Sequence, residues 1–366
     1  MSELKYREAL DSILNYKPAK SLQEIQDELG IDKILKLSAN ENAMGCSPLV
    51  YKALQKLPEE INLYPDFYCT KLREKLIKTL NVKEEQLIFG NGSFELISLL
   101  AQAFINSGEE SIIPEPSFGW YKTVTLAMNG VIKSIPLRNH KIDLKDVLNQ
   151  VNDKTKIIWL CNPNNPTGTI FEKQEFEKFI ENIPTRIILV LDEAYIDFVS
   201  SDEYFDTTKL VDKYKNIISL RTFSKVYGLA SLRIGYGIAD KEIIDIINKI
   251  RLPINVNAAA QAAALASLND ENFKKSCIEN NKEGKEYYYK SFSEMGLEYI
   301  PTETNFIMVN VLKDSMKVTD ELLRKGISLR AGTEFGMNTW LRITIGKIEE
   351  NILVIEKLKQ VLNYKK

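Results

Sequence analysis

A lysine, an aspartate and an asparagine in this chain each follow closely on a short apolar run, which is where an open parallel sheet presents side chains to a ligand. NIISL (216–220) leads into Arg221-Thr222-Phe223-Ser224-Lys225, with Gly228 and Arg233 beyond. Lysine is ordinarily a solvated surface residue, so its type alone says little. Beyond a buried run and beside other cations, a partly desolvated amine has a lowered pKa and can form an imine with a carbonyl. RIILVL (186–191) ends at Asp192-Glu193-Ala194-Tyr195, which puts a carboxylate at the mouth of the most apolar run. An unpaired charge there is costly, so Asp192 is expected to have a cationic partner, unless it is only a cap. KIIWL (156–160) ends at Cys161-Asn162-Pro163-Asn164-Asn165-Pro166-Thr167-Gly168, where two prolines and a glycine make a rigid turn that can fix one side-chain amide. QLIF (86–89) runs into Gly90-Asn91-Gly92-Ser93 and then ELISLLAQAF. Backbone N–H groups at that helix start form an anion site apt for phosphate, or else a tight turn capped by Ser93. Neither a full GxGxxG nor a Walker sequence is present.

The elements that must hold these residues are legible as short β-rich runs alternating with longer amphipathic stretches between about residues 85 and 240. QLIF, SII, VIKSI, KIIWL, RIILVL, NIISL and IGYGIA are the expected strands, and the alternation implies βαβ units, a largely parallel sheet and an α/β fold. RIILVL lacks a polar alternation, as a central strand covered on both faces should. Asp240–Arg251 reads as a helix, Pro253 interrupts it, and Asn257–Leu268 reads as a second helix, which suggests a domain junction. Beyond it, NFIMVN, GISLR and WLRITIG read as strands between charged helices, an α+β pattern. The first 35 or so residues read as amphipathic helix broken at Tyr16-Lys17-Pro18.

Composition narrows the chemistry. The chain has 366 residues, 44% hydrophobic and 27% charged, with 48 basic and 50 acidic residues interspersed for a formal charge of −2. That excludes a basic stripe for nucleic acid or an anionic membrane and leaves small molecules as expected partners. The only histidine is His140, and Cys46, Cys69, Cys161 and Cys277 form no CxxC pair, so neither a metal site nor a Ser–His triad is expected. The charged start and scattered thiols point to a reducing cytoplasm.

In order, NPNNPTG, DEAYIDF, SLRTFSKVYGLASLRIGYG and LRITIG resemble the class I/II, fold-type I aminotransferases. Within that family, LSANEN (37–42), LYPD (63–66), FGNGS (89–93) and GISLR (326–330) are similar to the histidinol-phosphate branch. The likeness covers nearly the whole chain. It implies a large domain (46–253) built on a mostly parallel sheet flanked by helices. It also implies an N-terminal arm (1–45) and a smaller α+β domain (254–366). The implied cofactor is pyridoxal 5′-phosphate, held by Lys225 as a Schiff base, with Lys225 later moving the substrate proton. Asp192 would pair with the ring nitrogen, Asn165 and Tyr195 would hydrogen-bond the ring oxygen, and Phe118 would stack on the ring. The cofactor phosphate would take backbone N–H groups of Ser93 and Phe94, the hydroxyls of Thr222 and Ser224, and the Arg233 guanidinium. Arg342 would bind the substrate carboxylate, and Arg330 and Tyr16 its distal group, with Asn42 also on the substrate side. Tyr64 would reach the neighbouring subunit's cofactor phosphate, which implies a homodimer with shared sites.

The branch implies exchange of an amino group between L-histidinol phosphate and 2-oxoglutarate. Aromatic aminotransferases and threonine-phosphate decarboxylases carry the same cofactor residues, so the motifs leave the donor open. A transcription regulator that senses the cofactor with an aminotransferase-like domain is the non-enzyme alternative. The pattern here begins at Asn40, too early for a preceding DNA-binding domain. The chain departs from the branch at Ala43 for proline, Phe94 for aspartate and Ala19 for glycine, all placed near the substrate mouth. Loss of the acid at 94 predicts a less regular helix start.

Overall fold

The computed structural model describes residues 5–13, 15, 20–59 and 61–364. Tyr16 and Ala19 lie outside the described residues, as does the whole of the expected break at Tyr16-Lys17-Pro18.

An early strand, β1 (Leu35–Lys36), precedes the seven strands of the main sheet: β2 (Leu87–Gly90), β3 (Glu110–Glu115), β4 (Val131–Pro136), β5 (Thr155–Cys161), β6 (Ile188–Asp192), β7 (Ile217–Thr222) and β8 (Gly235–Ala239). Their order is β2-β8-β7-β6-β5-β3-β4, and only β8 runs against its neighbours. The mostly parallel α/β sheet expected from the sequence is thus present. Successive residues of β6 explain why its run lacks polar alternation: Ile188 and Val190 pack into one core and Leu189 and Leu191 into another on the opposite face. Helices such as Ser93–Phe104 cover one side and Lys173–Ile180 the other.

This topology gathers the polar motifs. The loops after β2, β3, β5, β6 and β7 leave the same edge of the sheet. Because β8 is reversed, the residues that precede it arrive at that edge too, with Gly235 paired to both Gly90 and Thr222. Two glycines permit the approach. A Cβ on Gly235 would lie 2.6 Å from Ser93 N, and one on Gly92 (φ +73°) would lie 2.4 Å from Arg233 Nη2.

The second sheet contains β9 (Tyr299–Ile300), β10 (Phe306–Asn310), β12 (Arg330–Ala331) and β13 (Trp340–Thr344), all antiparallel, with β11 (Ile327–Ser328) pairing instead with β1. GISLR is therefore not one strand: it divides at Leu329 between two sheets, because its first half finds an edge in β1. Leu341 and Ile343 face a core with the helices Glu271–Glu294 and Ile348–Leu362. Period-two alternation turns Trp340, Arg342 and Thr344 the other way.

The expected helices at 240–251 and 257–268 form as Lys241–Asn248 and Ala258–Ser267, capped by Asp240 and Asn257. RIILVL enters the sheet only at Ile188, since Ile187 N–H is committed to the turn carbonyl of Pro184. The N-terminal region holds a short 3₁₀ turn, Glu8–Ser12, and the helix Leu22–Leu29 closed by a Ser21/Glu24 capping box. The helix Ser93–Phe104 forms with phenylalanine at 94, but its N-cap, Gly92, takes φ +73° and makes no side-chain capping hydrogen bond. Glu95, one position on, accepts Asn91 N–H at 2.6 Å and Asn255 Nδ2 at 2.7 Å, supplying the acid one residue late.

Candidate active site

The strand ends open onto a cavity of about 1300 Å³ between the two sheets. Lys225, Asp192, Tyr195, Asn165, Ser93, Phe94, Phe118, Thr222, Ser224, Arg233, Arg330 and Arg342 all line it. Asn42 does not: its Nδ2 donates to Val226 O at 2.7 Å and to Cys277 Sγ at 3.2 Å, and its Oδ1 accepts Met44 N–H. It braces the segment after Lys225, and Asn40, two residues earlier and in a left-handed backbone conformation (φ +58°), lines the cavity instead. Tyr64 is 85% exposed and lies outside the cavity of its own chain.

Lys225 reaches the cavity from the loop after β7. Its Nζ donates to Asn40 O at 3.1 Å and Ala39 O at 3.4 Å and lies 5.4 Å from the centre of the Tyr195 ring. Burial, followed by the positive charge of Arg342, lowers its pKa to about 8. Asp192, at the end of β6, is buried. Tyr121 OH donates to its Oδ2 at 2.7 Å and Ala194 N–H to its Oδ1 at 3.2 Å. Among the described residues no cationic side chain pairs with Asp192 at salt-bridge distance, and burial pushes its carboxyl pKa up. A buried carboxylate facing a cavity without a protein cation is apt to receive a positively charged or N–H group of a ligand.

The loop after β5 is tied down by Asn164. Its Nδ2 donates to Pro116 O and Thr167 Oγ1, and its Oδ1 accepts Ser117 Oγ. Asn165 is thereby fixed at the cavity wall, where Oδ1 accepts Arg342 Nη1 at 2.7 Å. Arg342 also donates from Nη2 to Ser38 O at 3.0 Å, while its Nε is buried without a partner. Tyr195 OH accepts Asn40 Nδ2 at 3.0 Å, and burial raises its pKa. Arg330 and Arg342 are direct cross-strand partners on β12 and β13, so two guanidiniums meet at one end of the cavity.

At the other end, Ser93 begins its helix beside Thr222, Ser224 and Arg233. Thr222 Oγ1 accepts Ser224 N–H at 3.0 Å, and Arg233 Nη1 donates to Ala230 O at 2.9 Å and Ser224 Oγ at 3.4 Å. Among the described residues no carboxylate pairs with Arg233. Helix start, hydroxyls and an uncompensated guanidinium form an anion cradle.

Besides Asn40, sequence reasoning missed Tyr121, Trp120 and Glu193. Tyr121 holds Asp192 and stacks on Trp159, with ring centres 5.1 Å apart. Phe94 and Trp120 form an aromatic wall with Phe118; the Phe94 and Phe118 rings meet edge to face at 5.0 Å and Phe94 lies 5.6 Å from Trp120. Glu193 is buried and accepts Ser219 Oγ, Thr207 Oγ1, Tyr204 OH and Arg221 Nε, so it locks the ends of β6 and β7 together. Only Glu193, next to Asp192 in a buried context, carried a readable signal.

The arrangement joins a neutralisable amine, a buried carboxylate, an anion cradle and a two-arginine pole beside one aromatic wall. A family model, aminotransferase class I and II, matches residues 32–358. The histidinol-phosphate aminotransferase of Caldicellulosiruptor saccharolyticus is 47% identical over 98% of this chain and 100% of its own length. A second such enzyme, from Carboxydothermus hydrogenoformans, is 44% identical over 97% and 99%. The crystal structure of histidinol-phosphate aminotransferase from Sinorhizobium meliloti in complex with pyridoxal-5′-phosphate superposes with a TM-score of 0.90 at 24% identity, covering 98% of both chains. With the family model spanning nearly the whole chain and the motif residues gathered in one cavity, this chain belongs to the class I and II aminotransferases.

Proposed function

We propose that this chain is a pyridoxal 5′-phosphate-dependent aminotransferase that moves the amino group of L-histidinol phosphate to 2-oxoglutarate. The observation that carries the reading is the make-up of the cavity: an anion cradle, a reactive amine and two arginines line one space, in a chain 47% identical to a full-length enzyme of that name.

The residues present fit the cofactor. Arg233 lacks a carboxylate and Asp192 lacks a cation among the described residues, and the two face one cavity with Lys225. A phosphate and a ring nitrogen would complete both. Lys225 would hold the cofactor aldehyde, Asp192 the ring nitrogen, Asn165 and Tyr195 the ring oxygen, and Phe118 the ring face. Ser93 and Phe94 N–H groups, Thr222, Ser224 and Arg233 would hold its phosphate. When bound, the cofactor supplies an electron-accepting ring for the pair left by the broken substrate Cα–H bond.

Lys225 Nζ, with its pKa near 8, can take and return a proton close to neutrality. Asp192 stabilises a proton on the ring nitrogen, because its buried carboxylate gains most from a charged partner. Arg342 and Arg330 hold the anionic end of the substrate and so orient its Cα toward the amine. The exposed Tyr64 suggests a second subunit that completes the site, and four free thiols suit a reducing cytoplasm.

The test is a donor panel with 2-oxoglutarate: histidinol phosphate, phenylalanine, tyrosine and threonine phosphate. Histidinol phosphate is expected to give the highest kcat/KM, with ketone formed and no carbon dioxide released. Arg330→Ala should lower that value by about 10- to 150-fold, the equivalent of one charged hydrogen bond of roughly 1.5–3 kcal/mol, and leave phenylalanine nearly unchanged. An unaltered enzyme indifferent to histidinol phosphate would overturn the donor assignment. Equal losses for both donors would remove Arg330 from it.

A further inference from the structure

At the two-arginine pole, Arg330 is already occupied. β12 runs straight into a single 3₁₀ turn, Gly332–Phe335, which folds Glu334 back onto Arg330 four residues earlier, and both line the cavity. Glu334 Oε2 forms an ion pair with Arg330 Nη2, with the two side chains 45% and 42% exposed. The pair uses one nitrogen of the guanidinium and not its fork: Arg330 Nε is buried without a partner. The Nε of Arg342, its cross-strand partner, is likewise unserved. A guanidinium is most strongly satisfied by an anion that spans both prongs. Glu334 therefore compensates the charge of Arg330 without filling its hydrogen-bonding capacity.

Resting on the reading of Arg330 as the holder of the substrate's anionic end, we propose that Glu334 is an internal counterion that occupies Arg330 between turnovers and is displaced by the incoming anion. With Glu334 in place, the pole carries a net +1 from two arginines and one carboxylate instead of +2. A phosphate can displace it because three oxygens can span Nε and Nη2 of Arg330 and still reach Arg342, which one carboxylate oxygen does not. Glu334 can withdraw to water at small cost, since its side chain is already half exposed. The competition lowers affinity for substrate and for the equally anionic product. Glu334 thus acts on KM and product release, and not on the proton transfer at Lys225. The influence reaches Arg342, whose guanidinium pKa is lowered to about 10, chiefly by burial, with Arg330 lowering it further and Glu334 opposing the shift.

The test is calorimetric titration of inorganic phosphate into the enzyme with its cofactor bound, so that the Arg233 cradle is already filled. Unaltered enzyme, Glu334→Gln, Arg330→Ala and the double variant are compared. Glu334→Gln should bind phosphate about two- to fivefold more tightly, the range set by half-exposed ion pairs. In the Arg330→Ala background the same change should have no effect, because the coupling runs through Arg330. The KM for the phosphorylated donor should fall by the same factor as the phosphate Kd. Unchanged or weaker binding by Glu334→Gln would overturn the proposal, weaker binding marking Glu334 as a residue that orients Arg330. If Arg330→Ala alone leaves phosphate affinity intact, the underlying reading of Arg330 fails. If Arg330→Ala loses affinity while Glu334→Gln gains none, only the counterion role fails.

Discussion

Lys225 sets the pH response of the site. Its ordinary pKa of 10.5 falls to about 8 because burial and Arg342 disfavour the ammonium. Below about pH 8 the neutral, nucleophilic amine becomes rarer by roughly tenfold per unit. The rate at which cofactor-free enzyme bonds pyridoxal phosphate through Lys225 is therefore expected to climb from about pH 6 to 8 and then flatten. Stopped-flow absorbance, with borohydride trapping and mass analysis of the Lys225 peptide, checks this. Lys225→Ala should give no adduct at any pH. A flat profile between about pH 6 and 9 would mean that the amine is not shifted. The sign for stability follows from proton counts. Between pH 8 and 10.5 the unfolded chain binds more protons at this lysine than the folded chain does, so this group makes the cofactor-free protein more stable as pH rises across that window.

The helix Ser93–Phe104 owes its place in the anion cradle to the glycine before it. Gly92 takes φ +73°, and a Cβ there would strike the Arg233 guanidinium at 2.4 Å. Gly108 takes a similar φ of +79° with open space around it, which makes it a control. Alanine at either position should cost about 1–2 kcal/mol of stability through the left-handed backbone, read as a fall in Tm. Only Gly92→Ala is expected to weaken cofactor retention as well, measured by the Kd of pyridoxal phosphate, because only there must Arg233 move. Equal retention in the two variants would remove Gly92 from the cradle. Elements of this kind were readable where local chemistry decides them, as in the Asn257-capped alanine-rich helix and the unbroken apolar run of β6. GISLR was misjudged because its division at Leu329 depends on β1, nearly 300 residues earlier in the chain.

Across the molecule, Ile61, Leu63, Tyr64, Tyr68 and Leu252 are each at least 62% exposed. So much exposed apolar surface favours a covering partner. The proposed partner is a second copy that receives Tyr64 in its site. Light scattering should then report a dimer. Heterodimers of Lys225→Ala with an inactive Tyr64 variant should regain activity at one of two sites, the one with its own Lys225 and an intact Tyr64 from the other subunit. No recovery in verified heterodimers would place Tyr64 within its own subunit.

By itself the sequence determined the α/β class, the seven strands of the main sheet and the polar residues that follow their ends. Each of those rests on short-range pattern: apolar runs, prolines and glycines in turns, and polar residues placed at strand ends. Asp192 ends one strand and Asn165 and Lys225 follow two others, and a parallel sheet must bring those three ends to one edge, so strand order alone makes them neighbours. Tertiary structure decided what each of them meets. Asp192 proved to lack a protein cation because Tyr121, packed on Trp159, fills that side, and no local pattern links residues 121 and 192. The antiparallel register of β12 and β13 set Arg330 against Arg342. The chain bends at Asn40, which takes a left-handed backbone (φ +58°), and this leaves Asn40 on the cavity wall while Asn42 turns to Val226 and Cys277. Glu334 reads in sequence as one more surface charge, and only the turn at Gly332–Phe335 folds it onto Arg330, because which cation a carboxylate meets is fixed by where the backbone reverses.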